Sequence, residues 1–214
     1  KCRFGSTGVC CRLCANGTCP ITEKSPRGVC GADGDTIVAR NFLRSVAGGT
    51  ACYLHVLENS ARALQTAGND LNVPALQRLA ARLGLPTAGR DDKTIAAEVA
   101  ALVLEDLYAP RTSNMKLLAA LAPEKERERW KSLGLLPGGA KAEVFDALVK
   151  TSTNLNTNPT DLLMHCLRLG IATGCYGLVL TNWLNDAILG DPAIAIVNCG
   201  LGTINPMTLN VAVT

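Results

Sequence analysis

Ten cysteines stand in 214 residues, and six of them, Cys2, Cys10, Cys11, Cys14, Cys19 and Cys30, fall within the first thirty positions. Cys10 and Cys11 are adjacent in "CCRLCANGTC", so their side chains point away from each other and one small metal site has little use for both. Thiolate is a soft ligand that suits zinc, copper(I) or an iron–sulfur cluster. Cys11, Cys14, Cys19 and Cys30 follow one another at steps of 3, 5 and 11 residues and offer four sulfurs, the number a [4Fe–4S] cubane takes. Structural zinc also takes four cysteines, usually as two paired knuckles. No second knuckle is present, so iron–sulfur is the better match and zinc the competitor. Cys2 and Cys10 are left over as half a site, whose remaining sulfurs a symmetry mate about a C2 axis can supply. A secreted disulfide scaffold is shorter and cysteine-dense throughout. Here the other four, Cys52, Cys166, Cys175 and Cys199, are scattered among apolar neighbours and read as small buried hydrophobes.

The elements that must position these thiols are mainly helical. Residues 1–34 carry turn residues and no hydrophobic periodicity, so something other than a core has to order them. A helical region over 35–190 follows. Its first helix is capped at Asp35 or Thr36 and runs through "TIVARNFLRSVAGGTACYLHVLENSARALQ", with Gly48-Gly49 as a place for a bend or a close approach. Further helices are expected at 73–85, 91–108, 123–137 and 141–153. The stretch 158–189 reads as a helix, a glycine-interrupted middle and a second helix. From 191 to 214 the pattern changes to β-branched runs, "AIAIVN" and "TLNVAVT", the opening strands of a truncated α/β unit.

Composition removes several function classes. The formal charge is only +3 and no basic, aromatic-interleaved patch occurs, which excludes nucleic acid as an expected partner. The first twenty residues lack the apolar stretch of a signal peptide, and Gly170, Gly174 and Gly177 break the longest apolar run, so no membrane span is expected. A soluble, cytoplasmic protein is the expectation. His55 and His165, on apolar helices, read as hydrogen-bonded core histidines. "EKERER" reads as a solvated helix face, and "CGLGTINP" is too incomplete for a nucleotide fingerprint.

The string "CRFGSTGVCCRLCANGTC", followed by "RGVCGADGDTIVARNF", strongly resembles the N-terminus of the nickel-dependent carbon monoxide dehydrogenases. "TNPTDLLMHCLRLG" is similar to a further segment of that family, and "LNDAILGDPAIAIVNCGLGTINPMTLNVAVT" to the helix and strands leading into its first Rossmann-like domain. The resemblance implies a [4Fe–4S] cluster on Cys11, Cys14, Cys19 and Cys30 within each subunit. It implies a second Fe–S cluster shared by Cys2 and Cys10 across the axis of a homodimer. The whole enzyme would oxidise CO with water to CO2, two protons and two electrons, or run in reverse. This region would carry the electrons on to a ferredoxin-like acceptor. The family's Ni–Fe–S active-site ligands come after Thr214, so no catalytic residue is expected in this chain. Thr18 and Pro20 depart in a minor way from the family pattern, and the first long helix has only His55 where many members carry several histidines. A stand-alone Fe–S electron carrier or interaction protein without catalysis is the alternative, and a zinc-stabilised helical module a third reading.

Overall fold

A computed structural model describes residues 3, 5–68, 70–112 and 115–191. The described part is mainly helical, with no strand among the described residues. The α/β unit expected over 191–214 lies outside them, apart from Asp191.

Among the described residues, eight α-helices follow a single turn of 3₁₀ helix at Gly5–Thr7. They are α1 (Gly34–Thr66), α2 (Val73–Arg82), α3 (Asp92–Leu107), α4 (Leu118–Leu121), α5 (Glu124–Ser132), α6 (Ala140–Lys150), α7 (Pro159–Ala172) and α8 (Thr181–Leu189). The short α4 was not expected from the sequence.

Helix α1 is the axis of the fold and packs against α3, α6, α7 and α8. Its buried positions 43, 47, 50, 54, 57, 61 and 64 recur every three or four residues, the stripe of a helix with one face in a core. Leu43, Leu54, Leu57 and Leu64 lie fully inside, each contributing about 2 kcal/mol of burial. The helix begins earlier than Asp35: Asp33 is the cap, its carboxylate accepting the Thr36 N–H at 2.9 Å. An isolated antiparallel bridge between Arg27 and Asp33 holds the chain extended there, so the cap is set by the turn before it. Helix α1 runs on through Gly48 and Gly49 without interruption, and neither receives a neighbour; a Cβ at either would meet nothing within 4 Å.

The glycines after α7 do not end the helix. Thr173–Leu180 forms a π-helical segment that joins α7 to α8 without a break, and it packs against α1. At Gly177 a Cβ would stand 2.7 Å from the Cβ of Tyr53, so glycine there is what lets the two helices come together. Thr173 donates to Thr50 at 2.9 Å, and Ser60 to Asn185 at 2.9 Å, pinning the same interface. Because the glycines are absorbed, Pro159–Leu189 becomes one helix of 31 residues, long and apolar enough by length and composition to cross a membrane. In the fold, 44% of its most apolar stretch is buried, and the helix is seated on α1.

Candidate metal centre

The cysteine segment is ordered by turns, not by a core. Gly28 donates to the Ala32 carbonyl at 2.8 Å, Gly31 to Gly28 at 2.9 Å, and the Arg27 guanidinium to Gly31 at 3.1 Å. These bonds close a tight turn with Cys30 near its tip. The segment is tied to α1 by Asn41, whose side-chain amide donates to the Val9 carbonyl at 3.3 Å.

This folding brings Cys11, Cys14, Cys19 and Cys30 around one hollow of about 530 Å³, counted out to its open mouth. All four thiols are free. Ile37 and Arg40 from α1 line the hollow, as do Thr153 and Asn154 from the loop before α7. Gly28 is the close approach: a Cβ there would lie 3.1 Å from the Cys19 sulfur. Cys10 is free and half-buried but is not part of the lining. Cys2 lies outside the described residues, so the expected pairing of Cys2 with Cys10 does too.

Cys30 has the most developed surroundings. Its thiol is held below the ordinary value, first by the backbone N–H of Ala32, while burial acts in the opposite direction. The Arg40 guanidinium and the Asn154 backbone add to the lowering. Arg40 Nη1 stands 3.7 Å from Cys30 Sγ, and Arg40 Nε donates to the Asn156 carbonyl at 3.0 Å. A thiol stabilised as thiolate is the state that binds a metal. Four cysteine sulfurs in a hollow with apolar and glycine walls fit a zinc ion or an iron–sulfur cluster.

Of the remaining cysteines, Cys166 and Cys175 are buried, and burial pushes both thiols up, as expected of small hydrophobes. Cys52 is exposed. The correction has a geometric reason: Cys52 is two residues beyond Thr50 and two before Leu54, about 200° around the helix from each of these buried positions. His55 is likewise exposed, with its ring beside the Asn59 amide at 3.3 Å, so it is not a core histidine. Cys199 lies outside the described residues.

A second group of metal-capable side chains was not anticipated. Glu143 and Asp146 of α6 meet His165 of α7, with potential ligand atoms all within 4.8 Å of one another. His165 Nε2 lies 2.9 Å from Glu143 Oε2 and 3.1 Å from the Glu143 carbonyl. The surroundings are cationic: Arg168 is 3.5 Å from Glu143, Arg111 3.2 Å from Asp146, and Lys150 3.1 Å from Asp161. Burial raises the Glu143 carboxyl, but hydrogen bonds from His165 and the Gly138 N–H, with the Arg168 charge, hold it below its usual value. Each of Glu143, Asp146 and Asp161 has a cationic side chain within 3.5 Å, and this cluster reads as an ion network, buried at Glu143 and His165 and open at Arg111 and Asp161, that joins α6 to α7.

The described residues define a helical protein in which four free thiols line one hollow on the first turns of a long central helix. The model of the Prismane/CO dehydrogenase family matches residues 9–214, and the chain belongs to that family. It is 51% identical to the carbon monoxide dehydrogenase of Methanocaldococcus jannaschii, matching over 100% of this chain and 35% of that protein. It is 34% identical to the carbon monoxide dehydrogenase of Rhodospirillum rubrum over the same shares. The chain thus spans about a third of the length of these curated relatives. Among solved structures, the nickel-free carbon monoxide dehydrogenase of Thermococcus sp. AM4 superimposes with a TM-score of 0.81 at 34% identity, over 90% of this chain and 32% of that one. Carbon monoxide dehydrogenase IV of Carboxydothermus hydrogenoformans does so with a TM-score of 0.81 at 32% identity, over 90% and 32%.

Proposed function

We propose that this chain is the N-terminal electron-relay region of a carbon monoxide dehydrogenase. In this reading Cys11, Cys14, Cys19 and Cys30 hold a [4Fe–4S] cluster within the subunit, and Cys2 with Cys10 supplies half the ligands of an Fe–S cluster on a homodimer axis. The bound clusters supply one-electron storage for the two electrons released as CO and water become CO2 and two protons. The chain's own contribution is to hold, orient and insulate. Adjacent Cys10 and Cys11 turn opposite ways, so one backbone step links two metal sites. The turn over Gly28–Ala32 presents Cys30, and Ile37 covers one wall. No residue of this chain is assigned to the Ni–Fe–S active site, and a ferredoxin-like protein is the acceptor beyond the dimer axis.

The observation that carries this reading is the convergence of those four free thiols on one hollow that excludes Cys10. Anaerobic reconstitution with iron and sulfide tests it. A variant with Cys2→Ser and Cys10→Ser is expected to keep about four iron per chain and the EPR signal of a reduced cubane. Stoichiometric zinc in protein purified anaerobically from an iron-replete host, with no such signal after reconstitution, would overturn it.

A further inference from the structure

Arg40 is among the largest side chains that the fold buries completely, with 1% of its surface exposed. Arginine is almost never buried without a partner for its charge. Yet no carboxylate among the described residues lies within salt-bridge reach of it, although nine arginine or lysine pairs with carboxylates occur elsewhere among them. Its Nε and Nη2 both donate to the carbonyl oxygen of Asn156, a neutral acceptor. Its Nη1 donates to Cys30 Sγ at 3.7 Å, and that sulfur is the one atom in its hydrogen-bond set able to carry a negative charge. The side chain is fixed at both ends of its fork, between the loop before α7 and the wall of the thiol hollow.

We propose that Arg40 is a positioning residue that raises the reduction potential of the cluster held by Cys11, Cys14, Cys19 and Cys30. This inference rests on the reading of those four thiols as cluster ligands. Uptake of one electron makes a thiolate-ligated cluster more negative by one, and a fixed cation at a ligand sulfur stabilises the reduced form more than the oxidised one. Hydrogen bonds to the sulfurs and local net charge are among the principal controls of such potentials. The Asn156 anchor matters because it stops the guanidinium from swinging out to solvent. Lysine, a point charge without the planar fork, cannot hold the Asn156 carbonyl and the Cys30 sulfur in the same way.

The test is an EPR-monitored potentiometric titration with dithionite, on the full protein and on its Arg40→Gln and Arg40→Lys variants, with iron counted in each. Arg40→Gln is expected to keep its iron and to favour the oxidised form by about tenfold, a fall of ~59 mV for one electron. Arg40→Lys should fall between that and the parent. An unchanged potential in Arg40→Gln with iron retained overturns the proposal. If both variants lose iron, pulsed EPR of the parent protein labelled with ¹⁵N-arginine decides. A weak ¹⁵N coupling to the reduced cluster supports the guanidinium–sulfur contact, and its absence overturns it. A parent protein with no cubane signal at all overturns the cluster reading itself, and this proposal falls with it.

Discussion

Two places in this chain gather the side chains that bind metals, and they differ in what surrounds them. Around Cys11, Cys14, Cys19 and Cys30 the walls are glycine, isoleucine and loop backbone, with one buried cation, Arg40, in the lining. Around Glu143, Asp146 and His165 three cations face three carboxylates. The first arrangement presents four free thiols to an open hollow, with the Arg40 guanidinium 3.7 Å from the Cys30 sulfur, and so leaves ligand atoms that a soft metal or cluster can take. In the second the carboxylates already have cationic side chains beside them. Ligand-type residues in one place are therefore a poor guide by themselves; whether the protein's own side chains already engage them discriminates better.

The largest effect that separates the two places is in metal content. Cys19→Ala should abolish the iron of the intrasubunit site, while His165→Ala should leave iron per folded chain unchanged. Iron analysis on anaerobically reconstituted protein measures both, and loss of metal in the histidine variant would break the distinction. The converse holds for stability. Glu143→Ala removes the anion that His165 and Arg168 face and leaves the Gly138 N–H without its 2.8 Å acceptor. Breaking a buried network by deleting one member typically costs about 3–5 kcal/mol, and urea denaturation should show a loss of that order with the iron signal retained at low denaturant.

A neutral partner in the core sharpens the point with a smaller effect. Asp106 is buried and accepts from the backbone N–H of Lys116 at 2.8 Å and of Leu117 at 2.9 Å, and from the Tyr176 hydroxyl. Burial, with Asp106 beside it, pushes the Tyr176 hydroxyl far above its ordinary value, so it stays a donor. Tyr176→Phe removes one of three donors to a buried carboxylate and should cost about 1–2 kcal/mol, read as a lower urea midpoint with the m-value unchanged.

How much of this was legible in advance depended on distance along the chain. The thiol set was legible because its four members lie within twenty residues and their spacing is itself the signal. The far wall of the same hollow was not, because Thr153 and Asn154 arrive from more than a hundred residues away. Helices α2, α3, α5 and α6 were legible from periodicity and their stop residues, whereas the cap of α1 was missed because the Arg27–Asp33 bridge belongs to a turn without periodicity. The π segment was read as an interruption because three glycines normally weaken a helix; what decides is that Gly177 faces Tyr53 across a helix contact. Arg40 and Asp106 look like ordinary surface charges in an amphipathic pattern. Their burial is a property of what packs on them, and local sequence does not contain it.

The smallest expected effect lies at a third charged group, with 12% of its side chain exposed, that sets a scale for the buried one. Glu58 on α1 is approached by Lys141 of α6, Arg62 one turn on, and the Tyr108 hydroxyl at 2.7 Å, so it ties α1 to α6 and to the residue after α3. The Lys141 hydrogen bond is the leading reason its carboxyl is lowered from 4.5 to about 2, followed by Tyr108 and Arg62. A depressed folded-state value means the stabilisation is fully present above 4.5 and is lost as pH falls from there through about 2. Glu58→Gln should therefore cost about 1 kcal/mol near neutral pH, in the range of partly solvated ion pairs. The two proteins should converge in stability towards pH 2. Urea midpoints measured across that range check it, and a difference that stays constant down to pH 2 would mean that packing, not charge, is what Glu58 contributes.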